Sequence, residues 1–332
     1  MVKNKIFLSV TFLFFLLLCT SCDNGFSFDA GNKKVHVVSW NVQTFFDGVT
    51  SGNEYSEFKG SKSKWNEDLY NRRLNDLCSA IQEINPDILV LQEIENEGVM
   101  YDISNRLTGF QNSKNSYQWM AFRKSPDSSI GCGVFSRIPI KNVLHHQVDC
   151  RIYGEQPSLR PLMEVALSWD EKSGKEVSLF ICHWKSKYGG KEVAAKWQQQ
   201  QGELLGWRLA ELEKIGKANA IICGDFNCGI EEFIPYEKDL EKVYIGNIAV
   251  KSGWLLETTV SKGSYWYKDT WEKIDHIFSF GNVNIKDFTT IESDLWTELH
   301  ESGEIIPHRY SVWKGNGFSD HLPVSAWVFL KT

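Results

Sequence analysis

Ile221-Ile222-Cys223-Gly224-Asp225-Phe226-Asn227 is the stretch whose reading decides the fold. Entered from Asn219-Ala220, it is a short apolar run, which reads as a buried strand, and it stops at a glycine, a carboxylate and a carboxamide. Side chains alternate along a strand, so Asp225 and Asn227 are expected on one face with Phe226 packing on the other. A surface turn uses the same residue types. The rest of the chain decides between the two.

Other apolar runs end in the same way. Residues 35–42 alternate as a strand and finish at Asn41-Val42-Gln43-Thr44-Phe45. Asp87-Ile88-Leu89-Val90-Leu91-Gln92-Glu93 is apolar without alternation, which predicts a strand covered on both faces, and it ends in a carboxylate. Residues 177–182 lead into His183-Trp184-Lys185-Ser186-Lys187-Tyr188-Gly189-Gly190. The aromatic-rich residues 263–271 precede Ile274-Asp275-His276-Ile277-Phe278, and Ser319-Asp320-His321-Leu322-Pro323 stands before a final strand at 324–330. Neighbouring strands are expected at 119–122 and 131–137, and another opens at Leu159-Arg160-Pro161-Leu162.

Helical spacing of Leu69, Leu74, Leu77, Cys78, Ile81 and Ile84 predicts a helix from about residue 65, closed by Pro86. A shorter one carries Ile103 and Leu107, and residues 191–217 form the longest, with Val193, Trp197, Leu204, Leu212 and Ile215 among its apolar positions. On this frame Asn41, Glu93, His183, Asp225, Asn227, Asp275, Asp320 and His321 all fall at or beside strand ends. Alone, His183 reads equally as a core histidine, Asp275 as a turn acid and Asp320-His321 as a cap. Together they argue for one site.

Lys3 and Lys5 precede an apolar run at 6–18 and then Cys19-Thr20-Ser21-Cys22. The run is short for a membrane span and has the shape of a signal peptide. The residues before Cys22 resemble a bacterial lipobox, although Cys19 stands where an aliphatic residue is usual; cleavage by the ordinary signal peptidase is the alternative. The expected organisation is a lipoprotein signal peptide at 1–21, lipid on Cys22, a polar tether at 22–34 and one domain at 35–332. Such a protein is exported and held on the cell envelope of a bacterium, or secreted if Cys22 carries no lipid.

The chain beyond the leader, with 42% apolar residues overall, is enough for one large α/β domain without repeats. Without Lys3 and Lys5 the net charge falls from -6 to -8, so a polyanionic substrate needs a local basic patch or metal ions. Six cysteines lie beyond Cys22; Cys182 and Cys223 sit in apolar runs and read as small buried hydrophobes, while a Cys223–Cys228 bridge stays open. No cysteine spacing suggests zinc.

The ordered set N-V-Q-T-F, P-D-I-L-V-L-Q-E, S-R-I-P, R-P-L, H-W-K-S-K-Y-G-G, G-D-F-N, I-D-H-I and S-D-H-L-P-V resembles the endonuclease/exonuclease/phosphatase superfamily, the DNase I-like proteins. The resemblance spans residues 35–330, and G-D-F-N and S-D-H-L-P are its most specific pieces. It implies a four-layered α/β sandwich, two mixed β-sheets packed face to face with helices outside. It implies equally a metal-dependent phosphodiesterase. A set of hard oxygen ligands without cysteine suits Mg2+ or Mn2+, with Ca2+ a further option outside the cell.

By the same resemblance, Glu93 is the principal metal ligand with Asn41 beside it, and Asp320 is a second carboxylate on the metal side. Asp225, helped by Asn227, orients or deprotonates the attacking water. His321 bonds a phosphate oxygen with its ring held by Asp275, and His183 stands near the scissile group as a candidate general acid. Arg160 is a candidate phosphate contact. Gln43, two residues after Asn41, stands where repair-type apurinic endonucleases carry an acid, and so favours the DNase I-like reading. The expectation is a monomeric exported nuclease acting on DNA or RNA. A lipid-headgroup phosphodiesterase or inositol-phosphate phosphatase is the alternative, and a catalytically silent surface lipoprotein is a third reading that the complete motif set opposes.

Overall fold

A computed structural model describes residues 33–112, 115–149, 158–170, 172–234, 243–260 and 262–331. The expected leader, Cys22, most of the tether and Cys150 lie outside these residues. The first half of the domain comprises β1 (Val35–Phe45), α1 (Glu67–Ile84), β2 (Ile88–Ile94), α2 (Glu97–Leu107), β3 (Trp119–Arg123), β4 (Gly131–Ser136), β5 (Ile140–His146) and β6 (Leu162–Asp170). It continues with β7 (Lys175–His183), α3 (Lys191–Lys214), β8 (Ala220–Asp225), β9 (Val243–Ile245), β10 (Ile248–Ser252) and α4 (Gly253–Leu256). Last come β11 (Tyr265–Tyr267), β12 (Thr270–Glu272), β13 (Asp275–Phe280), β14 (Val283–Thr290), β15 (Thr297–Leu299), β16 (Ile305–Pro307) and β17 (Val324–Leu330).

These strands form a 6-stranded sheet ordered β14-β17-β1-β2-β4-β3 and a 7-stranded sheet ordered β5-β6-β7-β8-β13-β10-β9. Both are mixed: β1 runs parallel to β2 and β7 parallel to β8, while the other pairings are antiparallel. Val37, Val90 and Val134 from one sheet meet Val165, Ile181 and Ile221 from the other in a shared apolar layer. Leu74, Leu77 and Ile81 of α1 and Val99 and Ile103 of α2 cover the outer face of the first sheet. Leu205, Leu209 and Leu212 of α3 cover the second. The result is the expected four layers. Each fully buried leucine adds roughly 1.5–3 kcal/mol to this packing.

Local chemistry fixes the element ends. The Asn66 side chain accepts a hydrogen bond from the Leu69 amide at 3.0 Å and so caps α1. Asn85 ends it in a left-handed conformation at φ 50°, with Pro86 next. Gly224 holds φ 141°, and a Cβ there would lie 1.9 Å from the Cys182 carbonyl oxygen, so only glycine lets β8 approach the end of β7 this closely.

Several expectations change. The strand expected from Leu159 begins at Leu162; Arg160 and Pro161 precede it. Val193 and Ile215 are exposed: Val193 lies off the face of α3 that Ala194, Leu205, Leu209 and Leu212 bury, and α3 ends at Lys214, before Ile215; on the buried face Gly202 and Gly206 admit the β9–β10 hairpin. A Cβ at Gly206 would stand 2.6 Å from the Ile245 carbonyl oxygen. Cys223 and Cys228 are both free and buried, so the bridge left open in the sequence is not formed. Residues of β5, β9, β10, β14, β15 and β16 carry too little periodicity to be read as strands beforehand.

Candidate active site

Strand pairing sets the site. His183 at the end of β7 lies level with Asp225 at the end of β8, and Asp225 lies level with Asp275 at the start of β13. From the other sheet, Asn41 on β1 reaches across: its Nδ2 donates to Asp225 Oδ2 at 3.0 Å and to Glu93 Oε1 at 3.2 Å. One amide therefore joins carboxylates from both sheets.

Glu93 reaches this position through an irregularity. The β1–β2 and β2–β4 registers both shift beyond Gln92, and Glu93 itself adopts φ 68°. A non-glycine residue there is strained by about 1–3 kcal/mol, a cost seen where surrounding structure enforces it. Gln43 and Thr44 are also left-handed, at φ 50° and 45°. Their amides point into the site, from Gln43 to Asn41 Oδ1 at 3.0 Å and from Thr44 to Glu93 Oε2 at 2.6 Å.

Opposite them, Asp275 Oδ2 meets His321 Nδ1 at 2.7 Å and accepts from the Ser264 hydroxyl at 2.7 Å. The Trp254 indole donates to the Asp275 carbonyl, and the Trp40 indole to the His321 carbonyl. Ser319 donates to the Asn41 carbonyl and receives the His321 amide, tying the final motif to β1. Donor atoms of Asp225, Asp275 and His321 lie within 4.8 Å of one another.

Burial alone lowers the His321 pKa, but the Asp275 charge and hydrogen bond, with Asp225 and Asp320, outweigh it and lift the ring to about 10. His321 is thus an imidazolium at neutral pH, with Nδ1 occupied. Burial, reinforced by the charge of Asp275, raises Asp225 to about 7 despite His321 and the amides of Asn227 and Asn41. His183 goes the other way: burial, then Arg160 and His321, hold it well below the ordinary histidine value, so its ring is neutral. Its Nε2 lies 3.8 Å from Glu93 Oε1 and 3.7 Å from Asp225 Oδ2, and its buried Nδ1 has no partner.

The expected side chains gather here, except that of Asn227. Asn227 does not project beside Asp225, because β8 ends at Asp225 and Asn227 turns to φ 52°. Its backbone amide donates to Asp225 Oδ1 at 2.8 Å, and its side chain donates to the Trp184 carbonyl at 3.3 Å. Asp320 neighbours His321 Nε2 at 3.9 Å and Arg309 at 3.8 Å. Arg160 donates to the Trp184 carbonyl at 3.4 Å, beside His183. Ser264 and Trp254 carry no signal in the sequence, and Ser319 and Thr44 stand inside the motifs without a role that residue type alone announces, because hydroxyl, indole and backbone groups act here.

The donors fit a hard divalent cation. Glu93 and Asp225 supply carboxylate oxygens around one amide, and among the described residues neither is paired with a lysine or arginine. Asp275 also keeps one buried oxygen without a partner.

The model of the Endonuclease/Exonuclease/phosphatase family matches residues 36–331. No curated protein sequence matches the chain significantly. Among solved structures, an endonuclease/exonuclease/phosphatase family protein from Bacteroides thetaiotaomicron is 15% identical with a TM-score of 0.57, over 91% of this chain and 96% of that one. The human Nocturnin catalytic domain with bound sulfate is 17% identical at 0.56, over 90% and 95%. D. rerio TDP2 complexed with single strand DNA product is 17% identical at 0.53, over 89% and 98%. At these identities the structures show a shared fold. With the family model covering the domain from β1 to β17, the chain belongs to the endonuclease/exonuclease/phosphatase family of metal-dependent phosphoric ester hydrolases.

Proposed function

We propose that the chain is an exported, lipid-anchored nuclease that hydrolyses DNA or RNA with Mg2+, acting as a monomer. The observation that carries the phosphodiester reading is the Asp275–His321 pair: a buried imidazolium beside the oxygen donors of Glu93, Asn41 and Asp225 suits an anionic phosphate. When bound by Glu93 and Asn41, with Asp320 as a further carboxylate, a divalent ion supplies charge neutralisation and an acidified water.

The chain's own groups do the rest. Asp225, raised to about 7 in the metal-free fold chiefly by burial, is placed to accept a proton from water, and the Asn227 amide fixes its orientation. His321 donates from Nε2 to a phosphate oxygen, and Arg160 contacts the same group. His183, neutral in the free protein, takes up a proton as the phosphate arrives and delivers it to the leaving oxygen.

Support for nucleic acid comes from the rim. The Tyr265 ring lies 4.7 Å from the His321 ring and is followed outward by Tyr267, stacked at 6.1 Å, with Lys268 5.1 Å from the Tyr267 ring. A half-buried ring followed by an exposed one with a cation beside it favours unstacked bases. A single-strand DNA product in the D. rerio TDP2 structure is consistent with this choice. Export and anchoring rest on Lys3, Lys5, the apolar run and Cys22.

Purified protein should release soluble nucleotides from single-stranded DNA or RNA only with a divalent metal. Choline phosphate released from sphingomyelin, with nucleic acid untouched, would move the substrate to the lipid alternative. Cys22→Ala should free the protein from the membrane or leave its precursor unprocessed; normal cleavage with retained membrane binding would remove the anchor from the proposal.

A further inference from the structure

Arg73 sits in α1, on a helix whose other charged residues face water, yet it is 3% exposed. Its guanidinium donates to the carbonyls of Thr44 at 3.0 Å, Val42 at 2.8 Å and Gln43, and to Phe318 at 3.4 Å. The Phe45 and Tyr310 rings lie 4.7 Å and 4.0 Å from it. Three successive carbonyls turned toward one cation leave the amides of the same segment pointing the opposite way. Those amides are the ones that bond Asn41 Oδ1 and Glu93 Oε2. The left-handed pair Gln43–Thr44 is what makes this two-sided turn possible, and a strained turn needs something to hold it.

We infer that Arg73 is a positioning residue for the metal site: by gathering the 42–44 carbonyls it sets the Gln43 and Thr44 amides that orient Asn41 and Glu93. It also reaches the Phe318 carbonyl, two residues before Asp320, so one side chain braces both ends of the site. The inference rests on the reading of Glu93 and Asn41 as metal ligands. Lysine cannot replace it, since a single ammonium lacks the planar fork that spans several carbonyls.

The test is direct Mn2+ binding to metal-free protein, by calorimetry, in parallel with thermal melting. Arg73→Lys should fold and bind Mn2+ about 10–100-fold more weakly, the range seen when groups supporting a metal ligand are changed. At saturating metal its kcat should recover most of the wild-type value, a split that a general loss of structure would not give. Glu93→Gln is the control. If Glu93→Gln loses binding while a folded Arg73→Lys keeps wild-type affinity, Arg73 is not a positioning residue. If Glu93→Gln itself binds Mn2+ normally, the metal reading beneath the inference is wrong. Should Arg73→Lys fail to fold, Arg73→Gln repeats the measurement with two donors and no charge. Failure of both to fold makes Arg73 a core residue and overturns the assignment.

Discussion

Asp275 and His321, 46 residues apart, meet through a 2.7 Å hydrogen bond in a buried site, and the aspartate keeps the ring charged to about pH 10. In Asp275→Asn the ring loses its largest source of stabilisation while burial still disfavours the cation. Its proton should leave at lower pH. Because the cation is the form that binds phosphate, the variant's kcat relative to wild type should fall as pH rises from about 6 to 8, reaching a loss of roughly 10²-fold or more. Asp275 also raises Asp225, so the His321 ring is followed directly by NMR titration of both metal-free proteins, which separates the two groups. A ratio independent of pH would mean that Asp275 only packs.

Glu93 combines a strained backbone with a carboxylate held by one amide proton donor from Thr44 and another from Asn41. Glu93→Gln changes charge but hardly volume, so the melting temperature of the metal-free protein should stay within a few degrees. The Mg2+ concentration for half-maximal activity should rise at least about 10-fold. An unchanged metal requirement would assign the ion to other residues.

The strand ends were legible because buried strands need continuous apolar runs, and polar residues that close them have few reasons to be there. Asp225, Asp275 and His183 were thus placed correctly from sequence, and β-pairing then made them level with one another. What stayed hidden was backbone conformation. Strand alternation predicts Asn227 beside Asp225, but β8 ends at Asp225 and Asn227 is itself left-handed. Glu93 depends on a register shift that no residue type announces. Arg73 is an arginine in an amphipathic helix, which reads as solvent-facing until three carbonyls are seen converging on it. Val193 and Ile215 fall the other way: Val193 lies off the face that Ala194, Leu205, Leu209 and Leu212 bury, and Ile215 stands just past the end of α3.

Asp225 makes a prediction about stability. Its carboxyl rises from 3.8 in the unfolded chain to about 7 in the metal-free fold, chiefly through burial. The folded state therefore binds its proton more tightly, and the stabilisation is fully present below about pH 4 and lost as pH rises to 7. Asp225→Asn has no proton to lose. Without metal, its melting temperature should exceed wild type by a margin that grows between pH 4 and 7 and levels off above, corresponding to a few kcal/mol on the order of three pKa units. A constant margin across that range would show that Asp225 stays charged in the fold.

The two histidines separate by substrate. His183 is neutral in the free protein, held so by burial, Arg160 and His321, and its Nε2 faces Glu93 and Asp225 from beyond hydrogen-bond distance. If an arriving phosphate supplies the negative charge that protonates it, His183 serves the leaving oxygen and nothing else. His183→Ala should then lose roughly 10²-fold or more on DNA. On a nitrophenyl phosphodiester, whose leaving group departs without a proton, the loss should be at least about 10-fold smaller. His321→Ala should lose activity severely on both, because it removes charge stabilisation from the phosphate itself. Steady-state kcat on the two substrates, measured at saturating metal, reads the difference. Equal losses for His183→Ala on both would make its ring a phosphate contact, and the proton for the leaving oxygen would have to come from another group.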